Sequence, residues 1–289
     1  MSLFHVIVLA IVQGFAELLP VSSSAHVVVA EKLMGLDPSS PPMTLLLVML
    51  HTGTMFAVIV YFWRQWRETY FQNWAAFKKF AGLVILATIF TGTIGEAIIK
   101  AIEKTALRGR PYAEIEDLFS HLELIAPALA VAGILILIAG VRERRNCAGG
   151  SPESSDLSAK QAAIIGAVQG LCLPFRGFSR SGATISTGML MGVMKSRAES
   201  FSFALAVVLT PAAVGREGMR LMQAERASGT AAFASAAFPS LLGAVFAFFA
   251  GLVALQWLSK CLEGGRWYFF GVYCLVAAFA VTVLYRTGY

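Results

Sequence analysis

Charged residues and paired cysteines are both scarce in this sequence. Only 14% of its 289 residues are charged, whereas 57% are hydrophobic, and the mean hydropathy is +0.70. Soluble domains average about 25% charged residues, so this composition excludes a soluble globular protein. The four cysteines show no paired spacing, which argues against a disulfide framework and against a zinc site. They are Cys147, Cys172, Cys261 and Cys274.

The sequence instead contains several long apolar stretches. A helix needs about 20 apolar residues to cross a hydrocarbon core, and six stretches reach or approach that length. They are 44–63, 80–102, 122–141, 201–214, 238–258 and 267–284. The sequence therefore predicts an all-α polytopic membrane protein with six transmembrane helices. Its net charge of +6 is explained by cationic loops between the spans, so no nucleic-acid partner is expected.

A polar stretch interrupts the apolar sequence near residue 20. Gln13 and Glu17 are four residues apart and would share one face of a helix. Pro20 ends that helix, and three serines follow where a second helix would begin, a position that favours N-caps and anions. An ordinary serine-capped turn would leave the carboxylate and the histidine at membrane depth unexplained. The polar residues of this stretch are Gln13, Glu17, Ser22, Ser23, Ser24 and His26.

A second interrupted region has the same plan. Apolar residues 162–173 are followed by a break at 174–177, after which a helix runs to about residue 194. Val-Gln-Gly at 12–14 recurs at 168–170, and Leu-Met-Gly at 33–35 recurs at 190–192, offsets of 156 and 157. The polar residues after the second break are Ser179, Arg180, Ser181 and Thr184, with Gly182 between them.

The repeat predicts the organisation of the chain. Three spans separate the two interrupted regions, and an odd number of spans inverts the second copy relative to the first. We therefore predict one membrane domain, 1–289, made of inverted repeats at about 1–141 and 160–289 and joined by a polar linker at 142–159. Each interrupted region would be a re-entrant helical hairpin that lines a cavity.

The two hairpins would bring their polar residues together near the membrane midplane. Two helix N-termini and an arginine form an anion site, and a serine or histidine beside a carboxylate supplies a nucleophile or base. The residues alone thus indicate a lipid-phosphate site that either hydrolyses or transports its ligand. His51, a polar residue within the first span, is at least as well explained as a structural histidine.

The two polar stretches resemble the signature motifs of the undecaprenyl-diphosphatase family, also known as bacitracin-resistance proteins. The first motif is Pro-Val-Ser-Ser-Ser-Ala-His at 20–26, preceded by Gln13 and Glu17, and the second is Gly-Phe-Ser-Arg-Ser-Gly-Ala-Thr at 177–184. Segments 51–54 and 198–203 are also similar to this family. Two departures stand out: Gln13 replaces a frequent glutamate, and Arg176 replaces the usual proline, with one residue inserted just upstream.

The resemblance implies a phosphatase of the bacterial inner membrane. It would hydrolyse undecaprenyl diphosphate to undecaprenyl phosphate and inorganic phosphate, which recycles the lipid carrier for cell-wall synthesis and gives bacitracin resistance. A divalent cation, Mg²⁺ or Ca²⁺, is implied, with Glu17 and Gln13 as its candidate ligands. The competing hypothesis is a non-catalytic polyprenyl-phosphate transporter. The substrate and membrane lipids are the expected partners, and a homodimer is left open.

The resemblance also implies a role for each motif residue. Ser23 is the expected nucleophile, His26 its general base, and Arg180 the residue that holds the diphosphate. Glu17 would orient the histidine or neutralise phosphate charge. An exchange of roles, with His26 as nucleophile and Ser23 in support, stays open. The expected phosphate-binding residues are Ser22, Ser24, Ser179, Ser181, Gly182 and Thr184.

Overall fold

Ten helices make up the described part of the chain in the computed structural model, which covers residues 2–37, 40–105, 122–149, 156–228 and 232–287. No strand occurs within those ranges. The helices are α1 (Leu3–Leu18), α2 (Ser23–Leu33), α3 (Pro41–Thr69), α4 (Trp74–Thr105), α5 (Leu122–Gly149), α6 (Ala159–Cys172), α7 (Arg180–Leu190), α8 (Lys195–Ser228), α9 (Ala232–Glu263) and α10 (Tyr268–Arg286).

Six of these helices, α3, α4, α5, α8, α9 and α10, are long and apolar enough to cross a membrane. The prediction of an all-α protein with six spans is thus confirmed. The helices are longer than the apolar stretches, because helical structure continues into polar turns beyond the apolar core. The largest difference is α8, which has 34 residues and continues through Pro211, where the apolar pattern predicted a short span.

The predicted linker at 142–159 is partly helical, because α5 continues to Gly149. The rest of that linker up to residue 155 lies outside the described residues. Most of the polar loop expected at 103–121 does too, since α4 ends at Thr105 and the description resumes at residue 122.

Two pairs of short helices have the same plan. In the first hairpin, α1 has 16 residues and α2 has 11, and Leu19–Ser22 separate them. In the second hairpin, α6 has 14 residues and α7 has 11, with residues 173–179 between them. The helices of each hairpin pack against each other. All four are shorter than the roughly 20 residues that a span needs, and their re-entrant placement in a bilayer stays a prediction.

The two halves of the chain are interleaved. α1 packs against α9, and α6 packs against α4, so the first helix of each half contacts the fourth helix of the other. Gly14 and Gly170, the glycines of the repeated Val-Gln-Gly, lie at these contacts. A Cβ on Gly14 would lie 2.5 Å from Ala250 Cβ, and one on Gly170 would lie 2.8 Å from Thr91 O. Both close helix contacts therefore depend on glycine, and the inverted repeat stays a prediction that this pairing supports.

Candidate active site

A polar cavity of about 370 Å³ lies between the turns of the two hairpins. It is lined by the ends of α1 and α6, the two turns, the starts of α2 and α7, and one residue of α3. The polar side chains that line it are Glu17, Ser22, Ser23, Ser24, His51, Arg176, Ser179, Arg180 and Ser181. The structure thus brings together most of the residues that the sequence placed in one site, although they come from stretches more than 150 residues apart.

Glu17 contacts residues of both hairpins in this cavity. Its Oε2 accepts a hydrogen bond from Ser23 Oγ at 2.5 Å, and its Oε1 accepts one from Arg180 Nη2 at 2.9 Å. The carboxylate of the first hairpin therefore contacts both the predicted nucleophile and the predicted phosphate ligand. The Glu17 and Arg180 side chains are only 19% and 22% exposed, so water screens this ion pair less than a surface pair.

Arg180 retains free hydrogen-bonding capacity. Its Nη1 is buried and has no hydrogen-bond partner among the described residues, while Nη2 binds Glu17. A buried guanidinium N–H without an acceptor is costly, and a phosphate oxygen is the acceptor that its planar fork fits best. Nη1 is therefore a donor that no described residue uses.

The turn of the first hairpin has an unusual backbone. Ser22 has φ +69°, the only positive φ of a non-glycine residue in the described ranges, and its side chain makes no capping bond to α2. Its Oγ lies 3.3 Å from Ser24 Oγ. The sequence predicted a serine cap here, but the structure uses Ser22 for a sharp turn that places Ser23 at the first position of α2.

Two further contacts connect the hairpins. The backbone N–H of Gly177 donates to Ser24 Oγ at 3.4 Å, and Ser181 Oγ donates to the carbonyl of Leu19 at 3.3 Å. Gly177 has φ +102°, and a Cβ there would lie 2.5 Å from Ile125 O. Glycine is therefore required at this position, both for the turn and for the close approach of α5.

His26 is not part of the polar cavity. Its Nδ1 lies 2.8 Å from Ser22 O, and its Nε2 lies 2.7 Å from Tyr273 Oη. The ring lines a separate, mainly apolar cavity of about 480 Å³ between α1, α9 and α10. The predicted pairing of His26 with Ser23 is thus not seen; Ser23 donates to Glu17 instead. His26 reaches the polar cavity only through the backbone of Ser22.

Two of the predicted phosphate-binding residues also lie behind the cavity wall. The N–H of Gly182 donates to Ser179 Oγ at 3.2 Å, so Ser179 caps α7. Thr184 is fully buried and contacts Ser202 Oγ at 2.6 Å and the carbonyl of Arg180 at 2.8 Å. Both residues stabilise the start of α7, and neither lines the polar cavity.

His51 was not among the predicted site residues, yet it lines the polar cavity. Its Nδ1 lies 2.8 Å from Leu47 O on its own helix, and its Nε2 lies 3.8 Å from Glu17 Oε2. The available signals were its polarity within an apolar span and its place in the segment 51–54. Neither distinguished it from a histidine with a purely structural role.

The cavity does not form a metal site by itself. Glu17 is the only carboxylate among its lining residues, and each of its oxygens already accepts a hydrogen bond, one from Ser23 and one from Arg180. Gln13 is buried, and its Nε2, not its oxygen, faces Glu17 Oε2 at 3.4 Å. No group of three His, Cys, Asp or Glu residues suited to a metal occurs in the described ranges. The protein residues alone thus do not fit the divalent cation that the resemblance implies.

Fold and site together define a class of protein: a polytopic helical membrane protein whose hydroxyl, carboxylate and arginine meet in a cavity suited to a lipid-borne phosphate. Comparison with known families narrows this class. The family described as "Bacitracin resistance protein BacA" matches residues 6–280. The chain belongs to that family, and the resemblance inferred from the two motifs is confirmed.

Curated relatives agree with this assignment along the whole chain. "Undecaprenyl-diphosphatase 2" of Acinetobacter baylyi is 56% identical over 287 residues, which cover 98% of each chain. "Undecaprenyl-diphosphatase 2" of Burkholderia orbicola is 33% identical over 96% of this chain and 95% of its own. "Undecaprenyl-diphosphatase" of Desulforapulum autotrophicum is 32% identical over 96% of both.

Proposed function

We propose that this protein is a membrane phosphatase that hydrolyses undecaprenyl diphosphate to undecaprenyl phosphate and inorganic phosphate, and so recycles the lipid carrier for cell-wall synthesis. The observation that carries the proposal is the position of Glu17. Its carboxylate binds the hydroxyl of Ser23 and the guanidinium of Arg180 at once. Together with the family and its full-length relatives, this arrangement favours hydrolysis over binding alone.

Ser23 is the nucleophile in this proposal. Its Oγ attacks the terminal phosphorus, the anhydride P–O bond breaks, and undecaprenyl phosphate leaves. Glu17 Oε2, 2.5 Å from Ser23 Oγ, is placed to take the hydroxyl proton as a general base. Water then attacks the phosphorus of the phosphoserine, the Oγ–P bond breaks, Glu17 returns its proton to Ser23 Oγ, and inorganic phosphate leaves with the protons of the water.

Arg180 holds the reacting phosphate. Nη2 is anchored on Glu17, so the unpartnered Nη1 is free to donate to a phosphate oxygen and to offset charge that develops during transfer. Ser22, Ser24 and Ser179 line the same cavity and would supply hydroxyl donors, whereas the Ser181 hydroxyl already donates to the Leu19 carbonyl. The predicted roles of Gly182 and Thr184 change accordingly, from phosphate ligands to supports of α7.

His26 holds the turn in this mechanism. It contacts Ser22 O and Tyr273 Oη, so Glu17 takes over the role of base that the motif resemblance gave to the histidine. The exchange of roles in which His26 attacks phosphorus has less support, because its ring lines the other cavity. His51 Nε2, 3.8 Å from Glu17, is a second polar group facing the carboxylate.

A divalent cation, Mg²⁺ or Ca²⁺, is part of the proposal in a restricted form. Since Glu17 already has two partners, the cation would be held mainly by diphosphate oxygens, as Mg²⁺ commonly is. When bound it would neutralise phosphate charge. The homodimer stays a prediction, which chemical cross-linking of the purified protein would test.

Phosphate release by the purified full chain in detergent tests the function. We expect wild-type protein to release phosphate from undecaprenyl diphosphate and Ser23→Ala to release almost none. A chelator should reduce the wild-type rate, and added Mg²⁺ should restore it. A lipid transporter without catalysis would bind the same lipid and release no phosphate. That result would replace the phosphatase assignment.

A further inference from the structure

Tyr273 contacts the signature histidine from outside both motifs. It lies in α10 and places its hydroxyl 2.7 Å from His26 Nε2. The two rings also stack, with centroids 5.7 Å apart and an interplanar angle of 14°. An aromatic residue in an apolar span is ordinary, so nothing in the sequence singled it out.

The two hydrogen bonds define the tautomer of His26. The carbonyl of Ser22 can only accept, so His26 Nδ1 must donate to it across 2.8 Å. In the neutral ring, Nε2 is then an acceptor, and the Tyr273 O–H is its donor. Tyr273 carries the only hydroxyl among the described residues that line the apolar cavity. Without that hydroxyl, Nε2 would face an apolar wall, and the opposite tautomer would set two acceptors against each other at Ser22.

The carbonyl that accepts from His26 is that of Ser22, in the turn between α1 and α2. Ser22 has φ +69°, a sparsely populated conformation that persists only when its surroundings hold it. Ser22 O also accepts from the backbone N–H of His26 at 3.4 Å. Cys274, the residue after Tyr273, contacts the same turn: its Sγ donates to Pro20 O at 3.3 Å. Ser23 follows this turn directly.

We propose that Tyr273 is a positioning residue: through His26 it holds the Ser22 carbonyl, and with it the turn that directs Ser23 at Glu17. What Ser23 then does rests on the function proposed above, whereas the contacts that hold the turn do not. The effect on the turn and the effect on turnover are therefore tested separately.

Hydrogen exchange of the purified full chain tests the turn without reference to turnover. Tyr273→Phe removes the hydroxyl and keeps the ring. Tyr285→Phe is the matched control, because Tyr285 lies in the same helix and is equally exposed, at 47%. We expect the peptide covering 19–26 to exchange severalfold faster in Tyr273→Phe than in wild type or Tyr285→Phe. Equal exchange in all three proteins would overturn the proposal, even if wild-type protein released no phosphate.

Kinetics test whether Tyr273 acts through His26. One lost hydrogen bond should lower kcat about tenfold in Tyr273→Phe, with KM within about twofold of wild type, while Tyr285→Phe matches wild type. In a His26→Ala background, Tyr273→Phe should cause no further loss, because the residue through which it acts is gone. The same fold-loss in both backgrounds would contradict the proposal, and so would an increase in KM alone, which would indicate direct contact with substrate.

Discussion

The two hairpins share one plan and carry opposite charges. The first, α1–α2, supplies Glu17 and Ser23 to the cavity, and the second, α6–α7, supplies Arg176 and Arg180. The ion pair between Glu17 and Arg180 therefore joins the two copies of the repeated pattern. Neither hairpin alone supplies the whole cavity: the first contributes the carboxylate, and the second contributes the arginines.

The N-termini of α2 and α7 are capped differently. Ser179 caps α7 by accepting from the N–H of Gly182, whereas Ser22 makes no capping bond to α2. The N–H of Gly182 in the first turn of α7 is therefore already satisfied, and in the proposed mechanism the second hairpin would bind the anion through the Arg180 side chain. In the first hairpin the serines remain directed into the cavity.

Removing the charge of Glu17 should have the largest effect. Glu17→Gln keeps the shape of the side chain but removes the base, so we expect phosphate release to fall about 10²–10⁴-fold. Glu31→Gln is the matched control, because Glu31 is also buried in the first hairpin, at 1% exposure, and does not line the polar cavity. Initial rates at equal, monodisperse protein concentration check this. A comparable loss in Glu31→Gln would mean that the charge of the hairpin matters more than the position of Glu17.

Substitutions of the two arginines of the second hairpin should lower turnover by different amounts. Arg180→Lys keeps the charge but loses the planar fork that binds Glu17 and phosphate together, and we expect turnover to fall about 10²-fold. Arg176→Ala should cost about tenfold or less, since Arg176 lies close enough to Glu31 to interact with it electrostatically, whereas Arg180 binds Glu17 directly. Phosphate-release assays of both variants check this order. If Arg176→Ala were the more damaging change, the phosphate ligand would be misassigned.

Backbone changes in the two turns should change stability by different amounts. Gly177→Ala puts a Cβ 2.5 Å from Ile125 O at a φ of +102°, and should cost about 1–3 kcal/mol. Ser22→Gly relieves a positive φ and should change stability by less than about 1 kcal/mol. Thermal unfolding in detergent measures both. Gly192→Ala is the control for strain alone, because its φ is +75° and its Cβ would meet nothing within 4 Å. A drop in Gly192→Ala as large as in Gly177→Ala would remove the contact with α5 from the explanation.

The smallest effect concerns the glutamines of the repeated Val-Gln-Gly. Gln13 faces Glu17 at 3.4 Å, whereas Gln169 faces Thr91 at 3.3 Å. Gln13→Glu would place a second carboxylate beside Glu17 and should lower the Mg²⁺ concentration for half-maximal turnover severalfold. A Mg²⁺ titration of phosphate release measures this, with Gln72→Glu, an exposed position, as control. An unchanged midpoint would show that a carboxylate at position 13 does not bind the cation.

Much of this arrangement was predictable from local pattern. Apolar stretches predicted the six spans, Pro20 and the break at 174–177 predicted the two turns, and the polar residues beside them predicted most of the cavity. The sequence pattern did not predict side-chain partners that are set by tertiary contacts. Ser23 and His26 are three residues apart on α2, but His26 contacts Tyr273, which is 247 residues away in the sequence. Nothing in the sequence near His26 indicates that partner. The short hydrogen bond from Ser23 to Glu17 likewise depends on the sharp backbone at Ser22.

The contact between Cys274 and Pro20 has a consequence for biosynthesis. The two residues are 254 positions apart, and at roughly 5–20 residues per second their synthesis is separated by about 13–50 seconds. Throughout that interval the first hairpin of a nascent chain lacks the contacts that α10 makes with its turn. Newly inserted first halves should therefore be inert toward the lipid carrier, and the serine should become aligned only after α10 has entered the bilayer and packed against α5.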